Sequence, residues 1–189
     1  TSRDVIEKTV VVTVNAADQV KKATGMDIVS GNDQTDYTRI RVELTITGTE
    51  NVLSKYRDEE YSVYVDTTPV ENAGKYNFNF RYTLPSDDIK LSSISPSYIA
   101  TPVLVDHIIS RYIELEAELD EGATPEGFHS ITPKESKIRI SGPESVVNSI
   151  ANAKVLVKNA SEYTKSTTIK SKTYELFDEY GILFINSNN

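Results

Sequence analysis

Five carboxylates crowd one stretch of this 189-residue chain: Glu114, Glu116, Glu118, Asp120 and Glu121. The first three alternate with Leu115, Ala117 and Leu119, so an extended strand carries them on one face. Such a set could hold calcium through its oxygens, or supply the acid and base of a glycosidase. Same-face neighbours on a strand stand about 7 Å apart, too far to share one ion without loop oxygens. No Asp-x-Asp-x-Asp-Gly loop follows. The stripe therefore reads as the solvated face of a half-exposed strand.

Other chemistry is sparse. The two histidines, His107 and His129, lie in polar steps without a Gly-x-Ser-x-Gly elbow or a second histidine at ligand spacing. Cysteine is absent, which removes disulfides, thiolate metal sites and a thiol nucleophile. Tyr76, Phe78, Phe80, Tyr82 and Leu84 could stack on a sugar. Their alternation with Asn77, Asn79 and Arg81 instead predicts one core-facing strand. Gly48 and Gly142 open short helical turns that could hold an anion, but neither has the second glycine of a phosphate loop. Asn159-Ala-Ser161 fits a glycosylation sequon that arises often by chance. No catalytic residue, cofactor or metal is expected.

The elements that position these residues come in duplicate. Ile46-Thr-Gly-Thr-Glu-Asn-Val-Leu53 returns 94 residues later as Ile140-Ser-Gly-Pro-Glu-Ser-Val-Val147. Upstream, Val5-Ile-Glu-Lys-Thr-Val10 matches Ile108-Ile-Ser-Arg-Tyr-Ile113 at an offset of 103. Each copy has an alternating strand, a glycine, a short apolar helical turn and another alternating strand. Val10, Val12 and Val14, then Ile40, Val42, Leu44 and Ile46, carry the period in the first half. Ile113, Leu115, Ala117 and Leu119 carry it in the second. Period two with one apolar face predicts half-buried antiparallel strands, with one short helix per module. In the second copy Gly142 is the expected N-cap and Pro143 the first helical residue. Gly25 to Tyr37, rich in Gly, Asn, Asp and Thr, is expected to be a mobile loop and a contact surface. The groove around His107 is the other surface expected to meet a partner.

Composition narrows the class further. Hydrophobic residues make up 38% of the chain and charged residues 25%, enough for two modest cores and too apolar for a disordered chain. A net charge of −8 argues against nucleic acid, because phosphate binding needs clustered Lys and Arg, and Lys21-Lys22 is the densest basic pair. No apolar run approaches the roughly 20 residues of a membrane span. The chain holds only Met26 and opens Thr-Ser-Arg, which suggests a piece of something longer.

The strand with Ile140-Ser-Gly-Pro-Glu-Ser-Val-Val-Asn-Ser-Ile150 and then Ala153-Lys-Val-Leu-Val-Lys158 resembles the YbbR-like domain family. Its pattern of a valine-rich strand, a Gly-Pro helical turn and a Val-Asp-Leu-like strand has counterparts at Gly48, Asp66 and Pro96 in the first copy and at Gly142 and Pro143 in the second. Thr49 stands in place of the first copy's proline, and Lys158 where that copy has Asp66. The resemblance implies an all-β, mainly antiparallel chain of two tandem modules, residues 1–105 and 106–189, in an elongated arrangement. The sequence stops where the first module continues into its last strand, so the second is expected either to be cut short there or to have that edge filled by a partner chain or by self-association. It further implies a non-enzymatic, extracytoplasmic regulator on the cell-surface side of a bacterial membrane. A helix absent from this fragment would anchor it there, with a membrane diadenylate cyclase as partner in cyclic-di-AMP synthesis. A surface adhesin or carbohydrate-binding β module is the alternative.

Overall fold

Val10 and Val14 point inward from β1 (Val5–Val14), while Val5 and Val11 remain exposed. This strand runs antiparallel to β3 (Ile40–Thr49), whose Val42, Leu44, Ile46 and Gly48 face the core in strict alternation. The computed structural model describes residues 4–32, 34–119, 131–158, 162–163, 165–170 and 174–184. His129, Asp120, Glu121 and the Asn159–Ser161 sequon lie outside the described residues. The chain divides into two compact units, Thr1–His107 and Ile108–Asn189.

In the first unit, β7 (Lys90–Ser95) covers the other side of β3, giving a sheet ordered β1-β3-β7. A second sheet joins β2 (Asp27–Ser30), β8 (Val103–Asp106) and β5 (Gly74–Tyr76). A third pairs β4 (Ser62–Val65) with β6 (Phe80–Thr83). Val10, Val42, Leu44, Ile46, Phe78, Ile89, Val103 and Val105 form one continuous core between them.

Among the described residues the second unit has one sheet ordered β10-β9-β11-β12, from β9 (Ile108–Leu119), β10 (Lys137–Pro143), β11 (Ile150–Val157) and β12 (Glu175–Asp178). Every described strand pairing in the chain is antiparallel except β9 with β11. The second core is smaller, built on Ile113, Ile140, Val147, Ile150, Ala153 and Leu176. The fold is all-β and mainly antiparallel. Among the described residues no helix is long and apolar enough to cross a membrane.

Three local expectations are corrected. The first unit contains more than one short helix, since α1 (Ala16–Thr24) runs nine residues. Asn15 caps it by accepting from the Asp18 N–H, Lys21 and Lys22 sit in its last turn, and Gly25 closes it in the left-handed region at φ 75°. Ala16 and Val20, four residues apart, are its buried contacts. The described residues of the Gly25–Tyr37 stretch are tied to the rest of the unit. They include β2, the Tyr37 hydroxyl accepts from the Asn32 N–H at 2.8 Å, and the Ala17 N–H donates to the Tyr37 carbonyl at 3.0 Å. The aromatic run from Tyr76 to Leu84 is two strands in different sheets. Between them Phe78 is buried and its carbonyl accepts from the Ile99 N–H, while Tyr82 is exposed.

The paired glycines separate by their neighbours. A β-carbon on Gly48 would stand 3.1 Å from Leu53 Cδ2, with the Leu53 Cγ at 3.3 Å, both inside comfortable packing distance. One on Gly142 would meet Val147 Cγ2 at an ordinary 3.5 Å. We therefore expect Gly48→Ala to destabilise the chain by about 1 kcal/mol through overpacking. Gly142→Ala should be neutral or stabilising by up to about 1 kcal/mol, because it only restricts the unfolded chain. Urea denaturation of both variants decides, and equal effects would show that Leu53 moves aside freely.

Candidate functional site

The family-motif positions shape the backbone. In each unit the glycine is the penultimate residue of the second strand of the pair and a helical turn folds back over it: α2 (Glu50–Leu53) over Gly48 and α3 (Glu144–Val147) over Gly142. Thr49 caps α2 with its own hydroxyl, which accepts from the Val52 N–H. Pro143 is itself the N-cap of α3 and makes no side-chain cap bond. This corrects the expectation that Gly142 caps and Pro143 begins the helix. Pro96 follows β7 through a cis Ser95–Pro96 bond.

Asp66 follows β4, with its side chain 12% exposed. Its carboxylate accepts from the Thr68 hydroxyl at 2.7 Å and the Thr68 N–H at 3.1 Å, and it pairs with the Arg81 guanidinium at 3.0 Å. The Thr68 hydroxyl, then the Thr68 N–H, and more weakly Arg81 hold this carboxyl below the usual aspartate range. Gly48 thus lies within β3, Asp66 just after β4 and Pro96 just after β7.

The acidic stripe occupies the exposed side of β9, the central strand of the second sheet. Glu114 faces Lys137 on β10, Glu116 faces Lys154 on β11, and Glu118 faces Leu156. Lys137 approaches Glu114, and Lys154 approaches Glu118, each at 3.8 Å. Lys154 also lies over the Phe177 ring at 5.1 Å. The carboxylates are thus spread along a ladder of alternating charge, and among the described residues no group of three acids or histidines could hold a metal. His107 is exposed, and its N–H donates to the Asp106 carboxylate.

Beside this ladder lies an open groove of about 580 Å³, lined among others by Arg111, Tyr112, Glu114, Lys137, Asp178 and Tyr180. Tyr112 is 67% exposed and Tyr180 79%. At its floor is a residue that the sequence reading passed over. Arg111 occupies the inward register of β9, between Ile109 and Ile113, and its Nη2 donates to the Ile150 carbonyl at the start of β11. Its Nε is buried and has no hydrogen-bond partner among the described residues. A signal was present, since the repeat aligns Arg111 with Lys8. Lys8 also sits half-buried on the first strand and pairs at 3.4 Å with Asp58, in the 3-10 turn Asp58–Glu60 beyond α2. Each cation thus ties its strand to the segment that follows the helical turn.

Residues 117–176, from within β9 to within β12, match the family model described as YbbR-like protein. No curated protein matches the chain. Among solved structures, the chain is similar to a YbbR-like protein from Streptococcus pneumoniae TIGR4 at 11% identity. That match covers 98% of this chain and 90% of the other, with a TM-score of 0.39. A likeness this loose carries no further argument.

Three outcomes follow from these contacts. Because the Asp66 carboxyl is held low when folded, its stabilising contribution is complete above the unfolded value of about 3.9 and is lost as pH falls through the folded value. Asp66→Asn should therefore weaken the chain at neutral pH and flatten the acid limb of its stability profile, as measured by denaturation across pH 2–7. On the acidic ladder, Glu118→Gln should change stability by less than about 1 kcal/mol, as exposed pairs do. Calcium at millimolar concentration should leave the melting temperature unchanged, and a calcium-dependent rise would restore the metal reading.

Proposed function

We propose that the chain is a non-enzymatic, extracytoplasmic interaction module, part of a membrane-anchored regulator that adjusts cyclic-di-AMP synthesis by a diadenylate cyclase. The observation that carries the reading is the YbbR-like match over residues 117–176. The form of the second unit supports it. Its β9 carboxylates are dispersed along a charged sheet face, which suits broad protein contact better than the convergence that a reaction needs. An acidic chain also suits a protein partner better than nucleic acid or an anionic surface.

A second reading, a glycan-binding β module, is favoured by Tyr112 and Tyr180, which expose their rings beside a polar groove. The two readings part in one experiment. Cyclic-di-AMP output is measured from membranes holding the cyclase, with the anchored parent protein either intact or lacking residues 1–189. The regulatory reading expects output to differ between the two. Equal output with both proteins present and folded would overturn it, and a glycan array with Tyr112→Ala and Tyr180→Ala controls would then test the second.

A further inference from the structure

The pair β4 and β6 buries one face and exposes the other. Val63, Val65 and Phe80 point into the first core, joined there by Phe78 and Ile99 from neighbouring segments. The residues that alternate with them share the outer face. Tyr64 stands opposite Arg81 across the pair. One step further along, the Asp66 N–H donates to the Asn79 carbonyl at 2.9 Å. Asn79 in turn stands opposite Tyr98, because the Phe80 N–H donates to the Ser97 carbonyl and the Ile99 N–H to the Phe78 carbonyl. Pro96, two residues before Tyr98, is exposed as well.

The chemistry of this face is unlike that of a solvated strand. Charged residues make up 25% of the chain, but here the charge is confined to one ion pair, Asp66 with Arg81. Tyrosines with an arginine, and neither Lys nor Glu among them, are the composition of the buried centre of a protein–protein interface. Arg81 is the polar centre. Its Nε and Nη2 both reach Asp66 Oδ2, at 3.1 and 3.0 Å, while Asp66 Oδ1 is taken by Thr68. A guanidinium carries five N–H donors in a planar fork. The outer edge of this one, Nη1 with the second Nη2 hydrogen, has no partner among the described residues, and the side chain is 62% exposed.

We propose that this face of the first unit is a protein-contact surface. The partner sets a carboxylate on the outer edge of Arg81 and apolar side chains over Tyr64 and Tyr98. Charge selects this occupant. A carboxylate takes two N–H donors of the fork at once, and Asp66 already holds the guanidinium in place, so little ordering cost remains. Nucleic acid fits poorly, since Arg81 is the single cation on the face. A second copy of the face offers no free carboxylate, because both Asp66 oxygens are engaged. In the second unit Leu156 and Lys158 stand where the first has Tyr64 and Asp66, so the surface belongs to the first unit alone. The inference rests on the reading of the chain as a protein-interaction module, and not on the partner being a cyclase.

The test titrates the whole chain by NMR with three acetylated, amidated peptides, Leu-Glu-Leu, Leu-Gln-Leu and Leu-Lys-Leu. The Glu peptide should bind about two- to fivefold more tightly than the Gln peptide, the range of one exposed charge pair, and the Lys peptide most weakly. Shifts should centre on the Tyr64, Arg81 and Tyr98 signals. Arg81→Gln should erase the preference, and Arg81→Lys, which keeps the charge without the fork, should reduce it. If Arg81→Gln does not fold, the peptide series on the unaltered chain decides. Equal affinities, a preference that survives Arg81→Gln, or shifts centred elsewhere would overturn the proposal. Tighter binding of a chitin oligosaccharide at the same residues would name a glycan as occupant and equally overturn it. The anchored parent separates this result from the regulatory reading. If deleting residues 1–189 changes cyclic-di-AMP output and Arg81→Gln does not, the regulatory reading stands and the proposal falls. If neither changes output, the cyclase reading falls and the peptide titration still decides the face.

Discussion

Everything in each unit depends on one long antiparallel pair whose second strand has a glycine as its penultimate residue. Ten residues of β1 face ten of β3, and a one-residue slip would turn Val42, Leu44 and Ile46 out to solvent. The glycine lets the following helical turn fold back onto the pair, so that Leu53 lies on Gly48 in one unit and Val147 on Gly142 in the other. That turn sets the direction in which the chain leaves, and hence where β4 and β11 begin. A cation on the inward side of the first strand then holds the departing segment, Lys8 through Asp58 and Arg111 through the Ile150 carbonyl.

The strands were legible where alternation was strict and both faces had clear characters, as in β3 and β9. Two kinds of element were not. The helix α1 has only Ala16 and Val20 buried, too narrow an apolar stripe to stand out by periodicity. Its capping residues, Asn15, Asp18, Lys21, Lys22 and Gly25, nonetheless mark both ends. The aromatic run from Tyr76 to Leu84 has perfect alternation, which describes which way side chains point and says nothing of which neighbour a backbone bonds. Tyr76 pairs with Val103 on β8 and Phe80 with Val65 on β4, so one period spans two sheets.

The candidate site shows the same division between local pattern and tertiary placement. That Glu114, Glu116 and Glu118 share a solvated face was readable from spacing alone. Their answering charges were not, because Lys137 and Lys154 come from strands far along the chain that only the sheet order brings to either side of β9. Arg111 was hidden for the opposite reason. A charge inside an apolar period looks like an interruption until the fold supplies the Ile150 carbonyl that its side chain meets.

Comparing the two units separates what the fold requires from what it leaves free. At several aligned inward positions the exchanges are small: Leu44 for Ile138, Ile46 for Ile140, Leu53 for Val147, Val10 for Ile113, whereas the buried Val42 aligns with the exposed Ser136. Core positions tolerate such swaps when volume is roughly kept. On the outward side Glu43 gives way to Lys137, Thr45 to Arg139 and Lys8's neighbour Glu7 to Ser110. Charge reversal on an exposed strand costs the fold little, since solvent screens it. The register and the glycine turn are therefore common property of both units. The units differ in their outward side chains, and also in α1, in the two further sheets of the first and in the parallel β9–β11 pairing of the second.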